Sequence, residues 1–330
     1  MTNRIGRRLG ATSVVALVAL GGLLVGGMSI AGAATFQAHQ IQVVNTSVWS
    51  PPSGEPSGVA YLGGGRLLVV DTNFNEPDSN GWEYTLDNGQ VENRATGVAE
   101  PTGVDYDPGT NTLFISSDDH EGQKVEVIRN FDTPQETRAT IDTEALGSFD
   151  TEDPAYDQIE DILYFVDGAD SRIYRIDPGN DGLFNTSGDT STSYSIASLN
   201  PNSNRDWEGL AWDPASGNLL LGNRHDKVIY EINKSNGTLI NTIDATGING
   251  LLFISGLGTA PSTRTPGQRS IWVTDRGTST LFELSIDGSG TTTTTTAPAT
   301  TTTQATTTTT GQGTTTTKNI TATTTTTTTT

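Results

Sequence analysis

The chain has 330 residues, 33% of them hydrophobic, no cysteine and a formal charge of −20. Without cysteine there is no disulfide framework, no thiolate chemistry and no cysteine zinc site. The charge excludes a general nucleic-acid or anionic-membrane surface, which needs clustered Lys and Arg. It suits an exported protein that concentrates cations around itself.

Residues 1–33 read as a removable signal peptide. Arg4, Arg7 and Arg8 precede an uncharged apolar run, and Ala31-Gly32-Ala33 is a small-residue cleavage pattern. The run is also long enough to span a bilayer, so a retained anchor is the alternative. Arg7-Arg8 hints at twin-arginine export. Cleavage removes three arginines and no acid, which takes the formal charge from −20 to −23.

Residues 34–290 carry a repeated two-strand phrase. Its fullest copy runs from Asp206 through Trp207-Glu208-Gly209-Leu210-Ala211-Trp212-Asp213-Pro214 to Leu219-Leu220-Leu221-Gly222-Asn223-Arg224. Apolar segments bounded by Gly, Pro and Asn predict short buried strands joined by tight turns. Copies begin near Glu55, Glu100, Asp150 and Asp206, and a last one near Gly247-Ile248-Asn249. The spacing of roughly 40 to 55 residues is the period of four-stranded propeller blades.

Alternating third strands follow at residues 82–86, 124–128, 172–176 and 228–232. The fold class is therefore all-β, a β-propeller of five four-stranded blades. A sixth would need a unit that the sequence does not display. The last repeat shows only three strands, whereas residues 40–48 predict a strand with no blade of its own. The N-terminal strand is expected to complete the last blade and close the ring, leaving no exposed sheet edge.

Residues 291–330 are almost entirely Thr. Such a segment offers too little apolar surface to offset the entropy of ordering it, and is expected to be a disordered linker or stalk.

The run from Glu208 to Asn218, with the Val-Asp and Thr-Asp-Arg-Gly strand ends, resembles the secreted bacterial propellers grouped with SdiA-regulated, phytase-like and NHL-type proteins. Members of that group include calcium-dependent lactonases, phosphoesterase-like proteins and non-catalytic binders. The resemblance thus implies a fold more firmly than an activity.

In a propeller, residues just before each first strand and just after each second strand converge at one mouth of the channel. Here the first position is Ser57, Thr102, Glu152, Glu208 and Asn249, and the second strands end at Asp71, Ser117, Asp167, Asn223 and Asp275. So many oxygen ligands suit a hard cation such as calcium. The plainer reading makes them loop residues satisfying local backbone donors. Glu208, Asn249 and Asp275 resemble the calcium set of lactonase-type propellers, with Glu152, Asp167 and Asp71 as further metal candidates.

Arg224 and Arg276 could hold an anionic ligand group, Trp207 could stack on a ring, and His225 is the candidate general base, ahead of His120. Asp107, Asp157 and Asp213 fall at the opposite ends of the strands and read as turn residues. Two functions follow. One is an exported, cell-surface or extracellular binding or scaffold module with an acidic, calcium-binding mouth, monomeric, whose partner is an extracellular ligand or cell-wall component. It involves neither nucleic acid nor, once the leader is gone, membrane insertion. The other is a calcium-dependent hydrolase of the lactonase or phosphoesterase type.

Overall fold

The structure is a computed structural model that describes residues 33–73, 79–119, 122–200 and 206–286. The leader, apart from Ala33, the Thr-rich segment and His120 lie outside the described residues. The described residues form twenty strands and three short 3-10 turns, with no α-helix among them.

Strand β1 (Ala34–Asn45) precedes the blades. The first blade is β2 (Pro56–Gly63), β3 (Arg66–Asp71), β4 (Gly81–Thr85) and β5 (Val91–Arg94). The second is β6 (Pro101–Asp107), β7 (Thr112–Ser117), β8 (Lys124–Arg129) and β9 (Thr137–Asp142). The third is β10 (Thr151–Asp157), β11 (Ile162–Asp167), β12 (Arg172–Asp177) and β13 (Thr190–Ser195). The fourth is β14 (Trp207–Asp213), β15 (Asn218–Asn223), β16 (Val228–Ile232) and β17 (Leu239–Asp244). The fifth contributes β18 (Gly256–Pro261), β19 (Arg269–Asp275) and β20 (Thr280–Ile286).

The expected closure is present. Residues 38–45 of β1 pair antiparallel with β20, from Ala38 opposite Ile286 to Asn45 opposite Thr280. Beyond that expectation, Ala34 to Gln37 pair in parallel with β17, so β1 stitches the fourth and fifth blades into one eight-stranded sheet. No strands of a sixth blade occur among the described residues.

Alternation along the strands sends side chains to both faces of every blade, and each face packs on a neighbour. Five apolar clusters result, each shared by two consecutive blades. Leu68 and Val70 meet Val104 and Ile115, Phe114 and Val127 meet Tyr156 and Phe165, and Tyr164 meets Trp207 and Leu221. Leu220 and Ile243 meet Leu257 and Phe282, and Trp272 and Leu281 return to Trp82 and Val69 of the first blade. The fifth cluster closes the circle.

The inner strands touch around the axis. A Cβ added at Gly256 would lie 2.1 Å from the Ser57 carbonyl oxygen, and one at Gly103 would lie 2.1 Å from Asp153 Oδ1. Only glycine allows that approach. Asp153 occupies the register that Gly58, Gly103, Gly209 and Gly256 hold in the other blades. Its Oδ1 accepts the Val104 N–H (3.0 Å), and its Oδ2 accepts the N–H groups of Leu257 (2.9 Å) and Leu210 (3.1 Å). One fully buried carboxylate therefore ties the second, fourth and fifth blades to the third. Burial pushes its pKa well above the usual carboxylate range even though three N–H bonds pull it down.

Candidate functional site

The ladder between first and second strands is interrupted at the same place in four blades, between Pro56 and Gly58, Pro101 and Gly103, Thr151 and Pro154, and Trp207 and Gly209. A bulge re-aims the side chain that it carries. In the first two blades that residue is a hydroxyl bridging to the next inner strand, with Ser57 Oγ donating to the Pro101 carbonyl (2.6 Å) and Thr102 Oγ1 to the Thr151 carbonyl (2.8 Å). In the third and fourth blades it is Glu152 and Glu208, both buried at the mouth.

Glu208 is the centre of the mouth. Its Oε1 accepts a bond from Arg276 Nη2 and another from Arg224 Nη1 (3.0 Å), while its Oε2 is buried without a hydrogen-bond partner. Arg224 Nη1 also reaches Asp206 Oδ2 (3.4 Å), and its guanidinium carbon stands 5.0 Å from the centre of the Phe253 ring. His225 turns Nε2 to Asp206 Oδ2 (3.2 Å) and sets its ring edge-on to Phe253.

Burial raises the Glu208 pKa to about 7 despite the two guanidiniums that lower it, with Asp206 and Asp150 adding to the rise. Glu152 is pushed well up by burial first, then by Glu208, Asp150 and Asp118, against the pull of Arg276. Asp150 rises to about 6 through burial, Asp167 and Asp206, and Asp118 rises through burial and Glu100. Carboxylates outnumber cations here, and each resists ionisation first because it is buried and then because its neighbours carry like charge.

Several sequence expectations need correction. Asn249 is exposed in the turn at residues 246–250, not on an inner strand. The fifth inner strand begins at Gly256, where the glycine needed for close approach stands, so Ser255 is the register equivalent of Glu208. Glu208, Asn249 and Asp275 therefore do not form one set.

The second-strand carboxylates serve the loops. Asp71 Oδ2 accepts from Ser53 Oγ (2.6 Å) and the Glu55 N–H (2.8 Å), and its Oδ1 from the Asn73 N–H (2.9 Å). Asp167 repeats the pattern with Ser148 Oγ (2.8 Å), the Phe149 N–H (3.1 Å) and the Asp170 N–H (2.6 Å). Asp275 accepts the N–H groups of Leu252 (2.6 Å) and Gly277 (2.9 Å). Each ties the loop entering its blade to the turn leaving the second strand, as the plainer reading had it.

Among the described residues, no group of three or more His, Asp or Glu is placed to hold a metal ion. The six expected calcium ligands are not gathered into one group: Asp71, Asp167 and Asp275 are engaged by loop donors and Asn249 stands apart, while Glu152 and Glu208 meet at the mouth. Trp207 is corrected too. It is fully buried between the third and fourth blades, donates to Ser171 Oγ (3.1 Å) and packs edge-on against Tyr230, so it offers no face to a ligand. Arg224 and Arg276 are at the mouth as expected, but both are engaged by Glu208.

Sequence reasoning missed Asp153 and Phe253. Asp153 could have been found, because it is the one copy of the phrase in which an acid replaces glycine. Phe253 had no such signal, since it belongs to a loop assigned to the wrong strand.

No protein family matches the chain, and no curated protein matches it. Among solved structures, glutaminyl cyclase of Myxococcus xanthus is 16% identical, with a TM-score of 0.50, over 77% of this chain and 98% of that one. The calcium-binding protein regucalcin from Agrobacterium tumefaciens is 12% identical over 77% and 96% of the two chains, with a TM-score of 0.48. The PQQ-bound aldose sugar dehydrogenase of Streptomyces coelicolor is 13% identical over 77% and 99%, with a TM-score of 0.43. At such identities likeness concerns fold alone. The chain is a β-propeller.

Proposed function

We propose that the protein is an exported β-propeller binding module, acting as a monomer at the cell surface or outside the cell, whose acidic mouth takes a cationic group of an extracellular or cell-wall ligand. The observation that carries this reading is the charge imbalance at the mouth. Asp118, Asp150, Glu152, Asp206 and Glu208 act on one another there, whereas both arginines are held by Glu208. A bound cation would relieve that repulsion. The leader pattern and the Thr-rich segment support export.

Calcium is not required by this reading, because Asp71, Asp167 and Asp275 hold loops and Asn249 stands apart. A calcium-dependent hydrolase is the second reading, and of its six candidate ligands Glu152 and Glu208 are the two that meet at the mouth. His225 with Asp206 remains as a candidate general-base pair.

The test is calorimetric titration with hexalysine at two salt concentrations, alongside thermal melts with calcium and with chelator. Saturable binding that weakens about tenfold in Asp150→Asn/Glu152→Gln, with a melting midpoint indifferent to calcium, is the expected result. Hexalysine binding unchanged in the double variant would overturn the assignment of the site.

A further inference from the structure

The opposite end of the channel carries a second feature that the acidic mouth does not explain. A cavity of about 190 Å³ opens there, and all five blades line it. Pockets for drug-sized ligands run from about 300 Å³ upward, so this one suits a small molecule.

The repeat builds its walls. Three residues beyond the register of Gly58, Gly103, Asp153, Gly209 and Gly256, the inner strands place Tyr61, Tyr106, Tyr156 and Trp212 in equivalent positions, with Thr259 there in the fifth blade. All five border the cavity. The tyrosine hydroxyls are engaged elsewhere: Tyr106 donates to Asn111 Oδ1 (2.8 Å), Tyr156 donates to Asp161 Oδ1, and Tyr61 accepts the Gly65 N–H (3.2 Å). The cavity wall is thus largely aromatic, with Tyr156 backed by Phe114 (ring centroids 4.8 Å apart) and the Tyr61 hydroxyl still able to donate.

One step before that ring, four blades have Ala60, Ala155, Ala211 and Gly258, and the second blade has Asp105. A lone carboxylate in a circle of small residues is not needed to close a turn. Asp105 Oδ1 accepts the Tyr106 N–H (2.8 Å) and Oδ2 the Tyr156 N–H (2.6 Å), which leaves acceptor capacity on each oxygen. The groups that act on it most are burial, those two N–H donors and Asp107, none of them a cation. The cation in the lining is Arg269, on the fifth blade, exposed and bonded to Thr259 Oγ1 (2.8 Å).

Aromatic faces beside a carboxylate are the chemistry that recognises organic ammonium ions, and a guanidinium at the rim recognises a carboxylate. We propose that this mouth is a second ligand site taking a small zwitterion of the betaine or amino-acid type, its ammonium between Asp105 and the aromatic ring, its carboxylate toward Arg269.

Glycine betaine, choline and glucose, titrated calorimetrically into the whole protein, test the proposal. Glycine betaine should bind saturably. Asp105→Asn should weaken it about tenfold or more, and Arg269→Gln should weaken it to the level of choline, while the acidic-mouth variant Glu152→Gln leaves it unchanged. If Asp105→Asn fails to fold, Tyr61→Leu removes a wall at the loss of one part-buried bond, that from the Gly65 N–H, and should weaken glycine betaine by about fivefold. No saturable binding, tighter binding of glucose or choline than of glycine betaine, or affinity indifferent to Asp105→Asn or to Tyr61→Leu would overturn it.

Discussion

The two ends of the propeller axis are built from the same repeated strands and differ in what supplies their chemistry. At the acidic mouth, charge comes from bulged positions and from loops, and neighbouring carboxylates crowd one another around Glu208. At the other end, the regular strand register sets a ring of aromatic residues around one acid. A repeat can thus make one end by symmetry and the other by departures from it. Asp153 separates them, and the largest predicted effect falls there.

Asp153→Ala leaves the buried N–H groups of Val104, Leu210 and Leu257 without their acceptor. A loss of about 3 kcal/mol or more, read by denaturant unfolding, is expected. A loss under about 1 kcal/mol would mean that the blades do not rely on this tie, and the contrast between ends would lose its divider.

Asp275→Ala removes the acceptor of the Leu252 and Gly277 N–H groups. The expected cost is about 2 kcal/mol, confined to loops at the acidic mouth. Glycine betaine affinity at the far end should stay at the wild-type value. If it fell with Asp275→Ala, the two ends would not be independent.

The smallest effect is a pH dependence common to both ends. Burial raises Asp105 from 3.8 to about 7 and Glu208 from 4.5 to about 7. The folded chain then keeps protons that the unfolded chain has already lost. Stability falls as pH rises from about 4 to about 7 and levels off above that. A melting midpoint dropping by a few degrees across this window, with Asp105→Asn and Glu208→Gln each flattening part of the fall, is the expected outcome. A midpoint that stays flat through the window would show both groups ionising as ordinary surface acids, and one that rises would mean that folding lowers their pKa.

Much of the architecture was legible because the phrase repeats. Period, alternation and the three-stranded last unit led to five blades closed by β1, and the Asp-rich strand ends led to the acidic mouth. The turn role of Asp107 and Asp213 is also as expected, with their carboxylates accepting from Gly109 and Thr110, and from Ala215 and Ser216.

The role of each acid was harder to read. Asp71, Asp167 and Asp275 look like ligands in sequence and act as loop ties, because a carboxylate's partners depend on donors brought from elsewhere in the chain. Asn249 was misplaced because the segment at residues 247–253 mimics the phrase in composition, whereas close approach to Ser57 fixes the strand start at Gly256. The aromatic ring was visible as Tyr61, Tyr106, Tyr156 and Trp212 in equivalent positions, yet its meaning needed the axis to be closed around it.

Strand β10 passes Glu152 at one opening, Asp153 at the axis and Tyr156 at the other opening, within a few residues. The inner strands are in contact there, and that aspartate is bonded to three of them. An occupant of one vestibule could influence the other only by sliding β10 against all of those bonds at once. If both proposed sites bind, any coupling between them must pass through that tied strand, and reciprocity requires it to be equal in the two directions.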